Sequence, residues 1–368
     1  MTLILLKIVA KPLQKIIILL LMLFSAPAFS LTVGGLYSAQ VSVKDQSTTQ
    51  VLNAKKLGLA QVLVKVTGQS KSLNNAKIRA GLAHAEEYLQ SFSFTTQLTN
   101  GQPQAMMELA FDKLQVNQLI SDASLPIWGA DRAAVLVWLV EDMQGTRQIV
   151  NDDGHPMVAQ IMSQADQRGM PLLWPLLDLE DQVSINGGDL WGVFKEPIEN
   201  ASHRYQPDAV LIGRMFLNSR QLWRVEWNFW LDDVEQQWSS QGADLAALVE
   251  PLQDRLSSSL VAKFALSTSI ENQAEDLPKS AILRVGQVIE FEDYVELQTM
   301  LQGIAGVQSV QLYSANGSTL EFIILVQSQL AQVKSIIDLK RSLRAVNSIG
   351  AEQGMNTDDT PLWHYQWN

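Results

Sequence analysis

Hydrophobic positions along this chain follow two rhythms, and the switches between them divide it into elements. Leu36 to Val43 alternates with a period of two and reads as a strand. Leu52, Leu59, Val62, Leu63 and Val66 then recur at helical spacing, with Ser47 or Thr48 to cap that helix and Gly68 to end it. A second helix opens at Asn74 or Asn75 and runs through Ile78, Leu82, Ala85 and Leu89. Phe92 to Leu98 and Met106 to Phe111 read as strands, joined at Asn100-Gly101 by a loop that Pro103 is expected to lengthen. Asp112 caps a short helix carrying Leu114, Val116, Leu119 and Ile120. Residues 31–130 thus form a small α+β region, with two helices on a short sheet.

The pattern changes at residues 131–269. Ala133 to Val140 is a continuous apolar run, the mark of a strand buried on both faces. A polar loop from Glu141 to Pro156 follows, then a helix from Met157 to Gln167 stopped by Gly169. Leu172 to Leu177 is a second apolar strand, Gly188 to His203 is helical, and Ala209 to Leu217 is a third strand. In Leu222 to Leu231, Trp223, Val225, Trp227, Phe229 and Leu231 point one way while Arg224, Glu226 and Asn228 point the other. Gln236 to Ser240 can pair with it, and Ala243 to Leu266 closes the region as a helix. Strands and helices that alternate first and end in a hairpin indicate an α/β layer with an antiparallel edge.

Residues 270–280 are a polar linker ending near Pro278. Residues 281–348 then give strand, helix, strand, an Asn316-Gly317 turn, strand, helix and a short strand, the β-α-β-β-α-β order of a ferredoxin-like unit. The fold class is therefore α/β and α+β, in several small layered domains. Residues 349–368 read as a polar tail interrupted by Trp363, Tyr365 and Trp367.

The first thirty residues stand outside this scheme. Lys7, Lys11 and Lys15 precede the apolar run Ile16 to Phe24, and Ala28-Phe29-Ser30 offers a small-residue cleavage site. That order is a secretory signal peptide; the run is short for a span, which needs about 20 residues. The expectation is a periplasmic protein with no integral membrane span after signal cleavage. The chain has no cysteine, which excludes a lipid-anchored cysteine, disulfides, thiol catalysis and cysteine-bound zinc. Its net charge of −11 lacks the electrostatic footprint of a nucleic-acid binder.

No local motif carries chemistry. Phosphate loops, nucleophile elbows and paired-histidine zinc motifs are missing, and the four histidines, His84, His155, His203 and His364, never fall four apart. A triad or a carboxylate pair assembled from distant residues stays open. Asp152, Asp153 and His155 could ligate a cation, but Asn151, Gly154 and Pro156 around them are turn formers, so a solvated turn is expected, with no metal and no cofactor. Aromatic residues carry more information. Trp223 and Trp227 belong to a core face, and Trp230 falls on the opposite one. Trp363, Tyr365 and Trp367 either dock back on a domain or anchor a partner. Trp230, Trp363, Tyr365 and Trp367 are thus the candidate interaction residues.

Two stretches resemble known families. Gly35-Leu-Tyr, Ala60-Gln-Val-Leu-Val-Lys-Val-Thr-Gly68, Leu125-Pro-Ile-Trp-Gly129 and Val135-Leu-Val-Trp-Leu139 resemble an uncharacterised family of exported gammaproteobacterial proteins, domain of unknown function 2066. Asp208-Ala-Val-Leu-Ile-Gly213 with the hairpin after it is similar to the amino-terminal α/β domain of the Tol system's periplasmic propeller protein. The first resemblance implies export and no assigned activity. The second implies protein contacts within the cell envelope, although no bladed repeat follows. Together these readings predict a non-enzymatic binding or assembly factor with an envelope protein partner. A periplasmic hydrolase is one alternative. The other is a small-ligand binder using the crevice where Glu141, Asp142 or Asn218 would converge.

Overall fold

Three sheets, each with its own apolar core, are laid down in chain order. The computed structural model describes residues 33–99, 101–266, 279–346 and 360–368. The expected signal peptide and most of the linker lie outside these residues, as do positions 347–359.

The first sheet has the order β1-β3-β2, from β1 (Ser38–Ser42), β2 (Leu89–Thr99) and β3 (Gln102–Phe111). Helices α1 (Thr48–Thr67), α2 (Ala76–Ala83) and α3 (Lys113–Asp122) accompany it. Gly68 caps α1 in the left-handed region at φ 69°, and the Asn75 and Asp112 side chains accept the first free N–H groups of α2 and α3. One face of the sheet is buried: Ala39, Val41, Met107 and Leu109 pack with Leu59, Val62, Leu63, Ile78 and Ile120. Pro103 does not lengthen the hairpin. It lies within β3 opposite Leu98, beyond the end of β1, where its missing N–H breaks no bond to that strand.

The second sheet has the order β5-β4-β7-β8-β9, with β6 also on β4. Its strands are β4 (Val135–Met143), β5 (Thr146–Ile149), β6 (Leu172–Leu173), β7 (Ala209–Leu217), β8 (Trp223–Leu231) and β9 (Val234–Gly242). β6, β4 and β7 are parallel; β5, β8 and β9 are antiparallel to their neighbours. Helices α4 (Pro156–Gln167), α5 (Leu179–Ser184), α6 (Gly187–Gly192), α7 (Lys195–His203) and α8 (Leu245–Phe264) belong to this region. β4 is buried on both faces. Val135, Val137 and Leu139 join the core with α4 and α8, whereas Leu136, Trp138 and Val140 join the core with α6 and α7. The expected loop after Val140 is instead the β4–β5 hairpin, and the expected strand Leu172 to Leu177 shortens to two residues before Pro175.

The third sheet has the order β11-β12-β10-β14-β13. It comprises β10 (Lys279–Gly286), β11 (Val307–Asn316), β12 (Thr319–Val326), β13 (Leu343–Ala345) and β14 (Leu362–Trp367), with helices α9 (Phe291–Gly303) and α10 (Leu330–Asp338). The ferredoxin-like succession holds through β13. The last strand, β14, then inserts parallel to β10 and antiparallel to β13, moving β13 to the edge. The C-terminal aromatic residues are thus strand, not tail. Trp363, Tyr365 and Trp367 alternate inward and are 8%, 3% and 7% exposed.

Arg132 ties the first two regions together. It is 2% exposed, and its guanidinium donates to the carbonyls of Lys65, Trp128, Gly129, Arg168 and Gly169 at 2.7–2.9 Å. The carbonyls of Lys65, Arg168 and Gly169 lie at the carboxyl ends of α1 and α4, where the helix dipole favours a cation. Burial pushes its pKa down to about 9, so it stays charged at neutral pH. Trp128, fully buried under that guanidinium, donates its backbone N–H to Val66 O at 2.8 Å. The Ile127–Leu266 bridge adds a second tie between the first two regions, and Lys340 on Asp131 at 2.5 Å joins the third region to the second.

Candidate functional site

A cleft of about 580 Å³ opens at the carboxyl end of β4. Ligands of open α/β sheets bind at this end, because the strands stop there and the loops diverge. Four segments build its walls: the end of β4, the antiparallel strand β5, the loop leading into α4, and α5 with the residues before it.

Glu141 follows the buried run of β4 and is held at 13% side-chain exposure. Gln148 sits opposite it on β5. His155 reaches the cleft because it is the N-cap of α4, with Pro156 at the first helical position. Its Nδ1 accepts the Met157 N–H at 3.2 Å. That bond fixes the tautomer: the proton of the neutral ring is on Nε2, which lies 3.7 Å from Glu141 Oε2. The gap is too long for a hydrogen bond. Among the described residues nothing donates a hydrogen bond to the Glu141 carboxylate.

Asp181 behaves differently. It is fully buried and accepts from Leu177 N at 2.8 Å, Tyr205 Oη at 2.5 Å and Arg204 at 3.2 Å. Arg204 also grips Asp178 with two parallel bonds of 2.7 and 2.8 Å, which pulls the Asp178 pKa down to about 2. Burial and the bond to Asp181 push Tyr205 up to about 12. This network braces the α5 wall and engages both Asp181 oxygens, so Glu141 is the lining carboxylate with no donor among the described residues.

The remaining lining is mostly apolar, from Met143, Ile149, Val150, Leu177 and Ile185, with the amides Asn151 and Gln182 among them. No Ser, Thr, Lys or Arg side chain is among the described residues that line it. With Nδ1 spent on the cap and Nε2 protonated, His155 has no lone pair to activate a nucleophile. The cleft can therefore hold a hydrogen-bond donor, above all a cation, on an apolar body.

The other residues singled out from sequence are scattered. Asp152 and Asp153 form the expected turn: Asn151 Nδ2 donates to Asp153 at 2.7 Å, and Gly154 takes φ 78°. Among the described residues no three His, Asp or Glu side chains group as a metal would require. His84 lies 3.6 Å from Glu87, and His203 is exposed at the end of α7. Asp142 and Asn218 stay out of the cleft. Trp230, on the face opposite Trp223 and Trp227, is half-buried against the Leu136–Trp138–Val140 core. Trp363, Tyr365 and Trp367 are core residues, which removes the reading of the C-terminus as a free partner anchor. Sequence reasoning missed Asp181, Arg204 and Tyr205. Two of these precede or follow ordinary helix ends, and no spacing marks their meeting.

One protein-family model, described as a domain of unknown function (DUF8605), matches residues 30–129. It covers the first sheet and its helices and stops before β4. No curated protein matches. Two solved structures show weak likeness. The lipoprotein GNA1162 from Neisseria meningitidis is 17% identical over 35% of this chain and 99% of its own, with a TM-score of 0.23. A formyltetrahydrofolate deformylase from Pseudomonas putida KT2440 is 10% identical over 48% of this chain and 84% of its own, with a TM-score of 0.18. Scores this low carry neither fold nor function to this chain, whose first region matches an uncharacterised domain.

Proposed function

We propose that this chain is a non-enzymatic binding protein exported to the bacterial cell envelope, and that its ligand sits in the cleft at the end of β4. One observation carries the binding reading: Glu141, largely buried and with no hydrogen bond to its carboxylate from the described residues, faces the Nε2–H of His155 across a cleft with largely apolar walls. The volume falls within the roughly 300–1,000 Å³ of small-molecule sites. The ligand class is a primary ammonium or similar cation carried on an apolar body, small or at the end of a larger molecule. Export is supported by the signal-like order of Lys7 to Ser30. The envelope setting is supported by the resemblance to domain of unknown function 2066, and by that of Asp208 to Gly213 to the Tol-system domain.

The test is calorimetric titration with 2-phenylethylamine, with 3-phenylpropionate as the anionic control. The amine should bind, the acid should not, and Glu141→Gln should weaken the amine about tenfold or more. Equal binding of both probes, or amine binding indifferent to Glu141→Gln, would remove the cleft from the proposal. Sequencing the amino terminus of the protein recovered from the periplasm addresses export separately, with Leu31 as the expected first residue.

A further inference from the structure

Strand β2 is the bare edge of the first sheet, and its hydrogen-bonding direction can be worked out. Phe111 N donates to Tyr37 O at 2.8 Å and Val43 N donates to Ala105 O at 3.0 Å. The odd-numbered residues of β3 therefore bond toward β1, and its even-numbered residues bond toward β2. Asp112 N to Tyr88 O at 2.8 Å agrees. With Ser93 opposite Glu108 and Thr95 opposite Met106, the odd-numbered residues of β2 close the ladder. The N–H and C=O groups of Phe92, Phe94, Thr96 and Leu98 point away from the sheet.

Natural proteins blunt such edges with charges, prolines, bulges or shortness. The other edges here are blunted. Lys65 lies across β1 at Ser38 O, β5 is four residues with Arg147, and β13 is three residues. β11 carries two register shifts, and β9 carries Glu235 with α8 packed against it. Between Ser91 and Leu98, β2 has no charge, no proline and no bulge. It also presents Phe92 at 47% and Leu98 at 78% exposure.

We infer that β2 is a self-association edge, pairing antiparallel with β2 of a second copy to continue the sheet across a two-fold axis. The outward groups require even-numbered residues to face even-numbered ones, and the register chosen is the one that sets the exposed apolar side chains against each other. With Thr95 on the axis, Phe92 lies opposite Leu98 of the second copy, and Phe94 lies opposite Thr96 of the second copy. Each exposed apolar side chain thereby gains an apolar cross-strand neighbour twice over, as an isologous interface requires. Self-complementarity selects the second copy as the occupant, and charge permits it: the strip between Ser91 and Leu98 is uncharged, so two acidic chains meet there without placing acid on acid.

The contact is small, so dissociation in the range of about 1–100 μM is expected. The test is sedimentation velocity on the chain from Leu31 onward, over roughly 1–200 μM. A reversible monomer–dimer equilibrium is expected. Thr96→Pro removes an outward N–H without touching the β2–β3 ladder and should raise the dissociation constant at least tenfold; Thr96→Lys should do the same. Gln311→Lys, on the exposed strand β11 of the third sheet, should leave it unchanged. Circular dichroism of each variant separates loss of pairing from loss of fold. A wild-type chain that stays monomeric throughout, or a dimer indifferent to both Thr96 variants, would overturn the inference.

Discussion

A single guanidinium donates to five carbonyls drawn from both of the first two regions. Removing it should cost more than one ordinary hydrogen bond, because each carbonyl of Lys65, Trp128, Gly129, Arg168 and Gly169 loses its donor in the interior. Arg132→Met keeps the bulk and removes the donors. It should lower stability by about 3–5 kcal/mol, read as a lower urea midpoint at an unchanged slope. A midpoint equal to wild type would mean that other donors reach those carbonyls. His364 gives a second residue-scale expectation. Burial, then the Arg284 charge beside it, hold its pKa below 6.5 although Glu321 opposes them. The unfolded chain therefore takes up this proton first as pH falls. The group's stabilising contribution is full above about pH 6.5 and is lost as pH drops toward the folded-state value. His364→Gln should flatten the stability profile between roughly pH 7 and pH 5, measured by denaturant unfolding at each pH. An unflattened profile would assign the acid sensitivity elsewhere. Neither residue was legible in the sequence. Arg132 is one cation in a polar turn, and its five acceptors lie up to 67 residues away from it along the chain.

Elements were legible where local pattern and tertiary demand agree. β7 has the bounds its apolar run predicts, and β8 differs by one residue from the alternation read over Leu222 to Leu231. The β4–β5 hairpin was hidden by its turn chemistry. Gln144 at φ 56° and Gly145 at φ 92° make the left-handed turn that Asn-Gly usually signals, and glutamine gives no such signal. β14 was hidden by context rather than pattern. Leu362 to Trp367 alternates, but a polar stretch separates it from the unit it completes. Because β14 lies between β10 and β13, deleting Leu362–Asn368 should unfold the third sheet, seen as a lost unfolding transition in calorimetry, with the second sheet retained. A truncated chain that keeps all its transitions would return these aromatic residues to a peripheral role. Gly213 tests packing within the second sheet. It lies directly opposite Trp227, and a β-carbon there would run into the Trp227 ring and Leu139. Gly213→Ala should destabilise by about 1–3 kcal/mol through overpacking, against the usual gain from replacing a strand glycine. A stabilised variant would show that the ring can move aside.

On the scale of the whole molecule, the question is how separate cores behave as one body. Leu31–Asn368 is a single compact unit, yet the first and third cores each close on their own sheet. The union of second and third regions depends on few polar contacts. Lys340 and Asp131 are 11% and 13% exposed and meet at 2.5 Å, and Arg341 donates to both the side chain and the carbonyl of Gln206. Apolar support comes from Leu339 against the second core and Leu266 against the third. A buried pair returns little net stability, but breaking it leaves an ammonium inside without its partner. Asp131→Ala should therefore cost about 3 kcal/mol or more, and the cost should fall on the junction rather than on either core. Asp131→Leu combined with Lys340→Met should recover most of it, since a matched apolar pair needs no counter-charge. Scanning calorimetry distinguishes the cases. If the junction couples the regions, Asp131→Ala separates an early transition of the third sheet from the remainder, and the double variant merges them again. If both variants unfold as wild type does, Leu339 and Leu266 suffice, and the ion pair sets only the angle at which the third sheet meets the second.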